Sequence, residues 1–213
     1  MPPDASDTRR RLLDAAARAF AEHGVANASL LDITRQAGQR NRGALHYHFG
    51  SRDGVLAAVL DRHVDFLARR EAELLDVALG SPDDDLESVV EVVVRPAVEL
   101  AESGWRGRCC LLIVAELTEQ DPRALHPDVQ AALARTGGHA VYELLEKRMP
   151  AMSPEIRVER FSLVTAFILR AVADRARLEG RRDRRARPQL EREAFVRNLV
   201  AMAAAALAAP VPS

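Results

Sequence analysis

Residues 29–56 read SLLDITRQAGQRNRGALHYHFGSRDGVL. The spacing within them predicts two short helices joined by a tight turn, with a long helix behind. Ser29 can cap the first, and Asp32 three positions on completes a box-like start. Ile33 and Ala37 then form its inner face, and Gly38 supplies the residue that can turn left-handed where the helix stops. Asn41 is a good cap for a third helix running through Phe49, with Leu45 and Phe49 turned inward. The opposite face of that helix carries Arg42, Gly43, His46 and Tyr47. Ser51 caps the long helix, predicted over residues 51–75, whose apolar stripe is Leu56, Val59, Leu60, His63, Val64 and Leu67.

Outward from this stretch the chain of 213 residues keeps the same helical period, and β-branched alternating runs are absent. The expectation is an all-α fold of about nine helices. A first helix over residues 7–23 buries Leu12, Leu13, Ala16, Ala19 and Phe20 and stops at Gly24. Further on, Ser81-Pro82-Asp83-Asp84 and Ser153-Pro154-Glu155 each place a cap, a first-turn proline and acids in helix-starting order. Asp121-Pro122 and His126-Pro127 bracket a loop, Gly104 and Gly180 read as stops, and Pro96 kinks or divides the helix around it. The run GRRDRRARP, residues 180–188, reads as a basic connector. These elements group into a helix-turn-helix domain over residues 1–52 and a helical domain over residues 53–213.

Composition removes several classes of function. Hydrophobic residues are 48% and charged residues 29%, the balance of a folded chain with a core of its own. No apolar run approaches the length of a membrane span, and the charged N-terminus carries no leader pattern, so no membrane is expected and the cytoplasm is the expected location. The two cysteines, Cys109 and Cys110, are adjacent and cannot staple distant parts of the fold; on a buried helix they read as small hydrophobes. The net charge of −1 conceals an asymmetry: residues 1–52 hold eight arginines against five acids, which leaves +3 there and −4 over the remainder. A basic module on an acidic body points toward a nucleic acid.

Within that module a helix can enter the major groove, where Arg42 would read guanine and the small Gly43 and Ala44 allow close approach beside His46 and Tyr47. Ser29, Thr34, Arg40, Asn41, His48 and Arg52 are the remaining candidates for DNA contact, most of them at phosphates. His48 has no neighbours at ligand spacing, so no metal is expected. Arg9, Arg10 and Arg11 are either a solvated run or an arm reaching phosphates.

The pattern AxLxDITRQAG…RGALHYHFGSRDGVL resembles the N-terminal domain of the tetracycline-repressor (TetR) family over residues 8–60. His48-Phe49, Gly50-Ser51 and Arg52 stand where that family has the end of its recognition helix, a small polar stretch and a basic residue before a linking helix. The resemblance implies a two-domain, homodimeric transcription regulator, usually a repressor, that leaves a palindromic operator on double-stranded DNA when a small-molecule effector binds its C-terminal domain. Two departures stand out. Four residues, Gln39 to Arg42, fill a turn where the common pattern has three, and His46 replaces the usual tyrosine.

The C-terminal body shows no catalytic signature, and no enzyme activity or cofactor is expected. Trp105, Arg108, Cys109, Leu112, Ile113, Glu116, His139, Tyr142, Phe161 and Phe167 are the candidate lining of an effector pocket, with Glu143 as a further polar group. The last two helices are apolar around much of their circumference, and Phe161, Val164, Ile168, Val172, Phe195, Leu199 and Met202 are the candidate dimer interface. Two other readings fit the same residues: a non-specific or architectural DNA-binding protein of this fold, and a helical small-molecule binder without DNA function.

Overall fold

The computed structural model describes residues 5–41, 43–136, 138–180 and 188–211, with side chains left aside at 179 and 180. Among the described residues there are ten α-helices and no strand, together with one 3-10 turn over Pro122–Ala124. The helices are α1 (Ala5–His23), α2 (Leu30–Gln36), α3 (Ala44–Phe49), α4 (Arg52–Leu79), α5 (Leu86–Glu102), α6 (Trp105–Leu117), α7 (Pro127–Ala134), α8 (Gly138–Arg148), α9 (Pro154–Gly180) and α10 (Arg192–Ala208). The all-α expectation holds, and most boundaries follow from local chemistry. Ser29 Oγ accepts from the Asp32 amide at 3.2 Å and Ser51 Oγ from the Gly54 amide at 3.0 Å. Gly38 takes φ of 72° between α2 and α3, a conformation that costs a residue with a Cβ.

Three boundaries differ from the sequence expectation. Residues 81–85 form tight turns, with Ser81 Oγ donating back to the Val77 carbonyl, and α5 starts only at Leu86, capped by Asp85, whose carboxylate accepts from the Ser88 amide at 3.0 Å. Asn41 does not cap α3. Its Oδ1 accepts from the Gly43 amide at 2.9 Å and closes the turn, leaving Gly43 at the cap position. Pro96 lies inside α5, which is not divided. The basic connector and Arg42 lie outside the described residues, apart from Gly180, the last residue of α9, and Pro188.

Two apolar cores organise the chain. Leu12, Phe20, Ile33, Leu45 and Leu56 are fully or almost fully buried together from α1–α4, and Ile113 and Leu117 of α6 reach into the same cluster. Val89, Leu145, Val172 and Leu199 belong to the second, built from α5, α8, α9 and α10 with Leu111 of α6. Burying each such side chain contributes about 1.5–3 kcal/mol before chain entropy is counted. Helix α6 is shared between the cores, so one face of it touches the N-terminal head and another the C-terminal body.

Candidate DNA interface and effector cavity

The head is built so that one side of α3 is committed to packing and the other is left to solvent. Ala44 and Leu45 are buried against Ala28, Ile33 and Ala37, while Phe49 is half-buried. On the other side Gly43 and His46 are exposed, and Tyr47, 84% exposed, is a large aromatic with no part in either core. His48 stands edge-on to Tyr47, with ring centroids 5.1 Å apart, and tilted against Phe49 at 6.0 Å. Gly54 fixes how closely α3 meets α4: a Cβ there would come within 2.0 Å of the Phe49 carbonyl oxygen. Nothing in the helical pattern singles out that glycine, since only the approach of a neighbouring backbone requires it.

Several residues expected at the DNA take other roles. Thr34 is 2% exposed, and its hydroxyl donates to the Leu30 carbonyl at 2.8 Å, because the period of α2 turns it inward with Ile33. Ala44 is a core residue for the same reason on α3. Arg52 Nη1 donates to the carbonyls of Val25 and Ala28, each at 2.7 Å, and so fastens the α1–α2 loop to the start of α4. Arg9, Arg10 and Arg11 are in α1; Arg10 and Arg11 pair with Asp7, and the Arg9 guanidinium lies 5.1 Å from the Phe49 ring. Ser29, Arg40 and Asn41 stay exposed, as His46 and Tyr47 do.

An ionic junction joins head to body. Asp14 of α1 accepts from Arg62 of α4 at 2.6 Å and from Arg106 of α6 through two bonds of 2.9 and 2.6 Å. The Arg106 and Arg62 guanidiniums outweigh the partial burial of Asp14 and hold its carboxyl at about 2, against an ordinary 3.8. Nearby, burial, reinforced by Arg62 and Arg106, lowers the His63 pKa, so the stripe histidine of α4 is neutral at pH 7. Trp105 is held between Arg18 at 3.9 Å and Arg106 at 4.6 Å. Glu116 accepts from the Val25 amide through both oxygens, at 2.9 and 3.2 Å. Trp105 and Glu116 therefore belong to the junction and do not line the apolar cavity, and Glu116 borders a separate polar cleft.

An apolar cavity of about 270 Å³ lies on the seam between the two cores. From α4 it takes Leu60, Val64, Leu67 and Glu71. Helix α6 contributes Cys110, Leu111, Val114 and Thr118, and Phe161, Thr165 and Leu169 face it from α9. Of the residues expected here only Phe161 lines it. Ile113 is fully buried on the head side of α6; Cys109 and Leu112 turn away with it, the first toward the head core and the second toward a separate cleft. Tyr142 packs edge-on behind Phe161 at 4.8 Å, and Arg108 is half-buried outside the cavity. His139 faces Glu143 at 3.4 Å on the exposed side of α8, and Phe167, 39% exposed, points to solvent. The body helices lie where the apolar period predicts them, and the difference is one of rotation about their axes. The missed lining had a signal, because 60, 64, 67 and 71 continue one α4 stripe. Burial pushes the Cys110 thiol up to about 12, so this cavity cysteine is a thiol at neutral pH.

Of the expected dimer residues Met202 is exposed, and the others are turned inward or covered. Val164, Ile168, Val172 and Leu199 are buried in the protomer's own core, Phe161 lines the cavity, and Phe195 lies under the Arg175 guanidinium at 4.7 Å. Among the described residues, the large apolar side chains that α9 and α10 leave exposed are Val158, Leu163, Phe167 and Met202.

Among the described residues no helix is long and apolar enough to cross a membrane. Residues 12–59 match the model of bacterial regulatory proteins of the tetR family, and residues 91–206 match that of the tetracyclin repressor-like C-terminal domain. The chain is 36% identical over 100 residues to the HTH-type transcriptional regulator SrpR of Pseudomonas putida, covering 47% of this chain and 42% of SrpR. The same identity over 100 residues links it to the uncharacterized HTH-type transcriptional regulator TtgW of a Pseudomonas putida strain, covering 47% of this chain and 67% of that one. The alignment thus spans less than half the length of SrpR. A HlyIIR mutant superposes with a TM-score of 0.59 at 14% identity, covering 99% of this chain and 100% of that one. AibR in complex with isovaleryl coenzyme A and operator DNA gives 0.55 at 15% identity, covering 92% and 97%. At such identities the likeness is one of fold. The C-terminal match alone extends over more than half of the sequence and the N-terminal one over the helix-turn-helix, so the chain belongs to the TetR family of bacterial regulatory proteins.

Proposed function

We propose that this protein is a homodimeric DNA-binding transcription regulator, a repressor, that leaves a palindromic operator when a small molecule enters the seam cavity. The observation that carries the reading is Tyr47: an 84% exposed aromatic beside His46 and Gly43, on a six-residue helix whose other side is core. A helix that packs on one side and presents an aromatic, a histidine and a glycine on the other suits a major groove. In this reading residues 1–52 are the DNA-binding domain, with Arg42, Gly43, His46 and Tyr47 at base edges and Ser29, Arg40, Asn41 and His48 toward the backbone. Residues 53–213 form the effector and dimerisation domain. The solvent-facing Leu163, Phe167 and Met202 are apolar surface for a two-fold partner, and a two-fold axis makes the operator a palindrome. The site of action is the cytoplasm, and no catalytic step is assigned.

The seam position of the cavity supports effector control. Leu60 and Cys110 lie in the head core and also line the cavity, while Leu111 and Leu169 do so from the body core. A ligand that prefers one spacing of the two cores shifts the population by its difference in affinity between them. Selection of preferred sites from random DNA tests the reading. An enriched palindrome with half-sites about one or two helical turns apart is expected; absence of any enriched sequence contradicts it and favours a non-specific or DNA-independent protein.

A further inference from the structure

Val25 stands in the loop between α1 and α2, and its backbone is held from two directions. Its amide donates to both carboxylate oxygens of Glu116, at 2.9 and 3.2 Å, and its carbonyl accepts from Arg52 Nη1 at 2.7 Å. The same nitrogen reaches the Ala28 carbonyl at 2.7 Å, immediately before Ser29, the cap of α2. Glu116 belongs to α6, whereas Arg52 opens α4 three residues after α3 ends. The loop is shaped to let Glu116 in: Gly24 takes φ of 83°, and a Cβ there would stand 3.3 Å from Glu116 Oε1, tighter than ordinary contact. Hydrogen bonds to ionised groups are stronger than neutral ones, so a displacement of Glu116 is delivered to the Val25 backbone. Arg52 carries it on to the first turn of α4, next to the end of α3.

Another side of α6 faces the seam cavity, where Val114 and Thr118 are part of the wall. At about 100° of helix per residue, Glu116 lies about 200° from each of them and points away from the cavity. Ile113 and Leu117 are packed in the head core and Leu111 in the body core, so α6 is gripped on both sides and shifts as a unit. Resting on the effector reading above, we infer that Glu116 is the positioning residue that couples the cavity to the DNA-facing helix. A molecule lodged against Val114 displaces α6, and Glu116 passes that displacement through Val25 and Arg52 to the start of α4. Helix α4 also runs from head to cavity, but the Glu116 bond decides whether movement of α6 reaches its first turn. Arg106 ties α6 to the head as well, yet it does so at Asp14 in the middle of α1. The Glu116 bond lands on the loop where the starts of α2 and α4 are joined.

Cavity-filling substitutions stand in for an effector in the test. Val114→Phe on α6 and Thr165→Phe on α9 each enlarge a lining side chain, and having them on separate helices guards against either one failing to fold, which thermal melts report. Affinity of the full-length protein for the palindrome selected from random DNA is measured for each in three backgrounds, wild type, Glu116→Ala and Glu116→Gln, as a double-mutant cycle. Filling the cavity is expected to weaken operator binding about 10-fold or more in the wild-type background and by less than about threefold in Glu116→Ala. Glu116→Gln keeps an acceptor for the Val25 amide and should restore most of the response, which a general loss of stability at this position would not do. Equal weakening with and without Glu116 overturns the inference and leaves the regulator reading standing. A filled cavity that leaves operator affinity unchanged in the wild-type background overturns the effector reading itself, and the inference with it.

Discussion

The head and the body are both helical, yet they are held in different ways. In the head the starts of α2, α3 and α4 are each set by a bond spanning two or three residues: Ser29 to Asp32, Asn41 to Gly43, Ser51 to Gly54. The body has caps of the same kind, Asp85 to Ser88 and Ser153 to Ile156, but most of its fastening is long-range and comes from arginine, a role that within the head only Arg52 plays among the described residues. Arg148 of α8 reaches the carbonyls of Ala78, Ser81 and Asp85 and the Ser88 hydroxyl, all between 2.6 and 3.1 Å, and so ties down the whole α4–α5 connection. Arg70 of α4 forks onto Glu99 of α5 at 2.9 and 3.2 Å, and Arg95 of α5 reaches Glu193 of α10 at 3.2 Å. A fold secured by neighbours leaves its record in a short stretch of sequence. One secured by residues 60 or 70 positions apart does not.

The sharpest way to break this comparison is Arg148→Ala. Arg148 is almost fully buried, and its removal strips four charged hydrogen bonds from backbone and hydroxyl oxygens. We expect a loss of about 3 kcal/mol in denaturant unfolding, partly recovered by Arg148→Lys. In the head the matching test is Gly54→Ala, whose Cβ would sit 2.0 Å from the Phe49 carbonyl oxygen. Either α3 or α4 must shift, and overpacking of this kind costs about 1–3 kcal/mol. DNA affinity should fall with it, because α3 moves; an unchanged melt would show the two helices to be loosely coupled.

The junction gives a pH-dependent prediction. Asp14 has its pKa lowered from 3.8 to about 2 by Arg106 and Arg62, so its contribution is present above the ordinary carboxylate value and disappears as pH falls from 3.8 toward 2. Asp14→Asn should cost about 1–2 kcal/mol at neutral pH, discounted for the partial exposure of the arginines. The wild type and the variant should draw together in stability below pH 3.8 and converge only as the pH reaches about 2, seen in urea melts across the range. The smallest effect is at a cap: Ser51→Ala should destabilise by about 1 kcal/mol, and Ser51→Asp should restore most of it.

The sequence and the structure agree most closely where bonding is local. Ser29, Gly38, Ser51 and the inward Ile33 and Leu45 are legible because caps and turns leave a residue type at a fixed offset. Thr34 and Arg52 are not, because whether a polar side chain faces DNA or its own backbone depends on a quarter-turn of helix. The body shows the same limit on a larger scale. Its helices follow from apolar period alone, but α6 is apolar on several sides, so choosing Cys109 and Ile113 over Cys110 and Leu111 for the cavity amounts to choosing a rotation. Only the packing of α6 between two cores fixes it. Glu71 is within reach of sequence reasoning, since an acid on an otherwise apolar stripe is a local anomaly.

The central claim is that the exposed side of α3 reads sequence. Its most direct test is the affinity of wild type, His46→Ala and Tyr47→Ala for the selected operator and for a scrambled duplex, all at one salt concentration. The account predicts that each substitution weakens operator binding by about 1–3 kcal/mol and leaves scrambled DNA and the thermal melt nearly unchanged. Equal losses on both duplexes, or no loss on either, would contradict it.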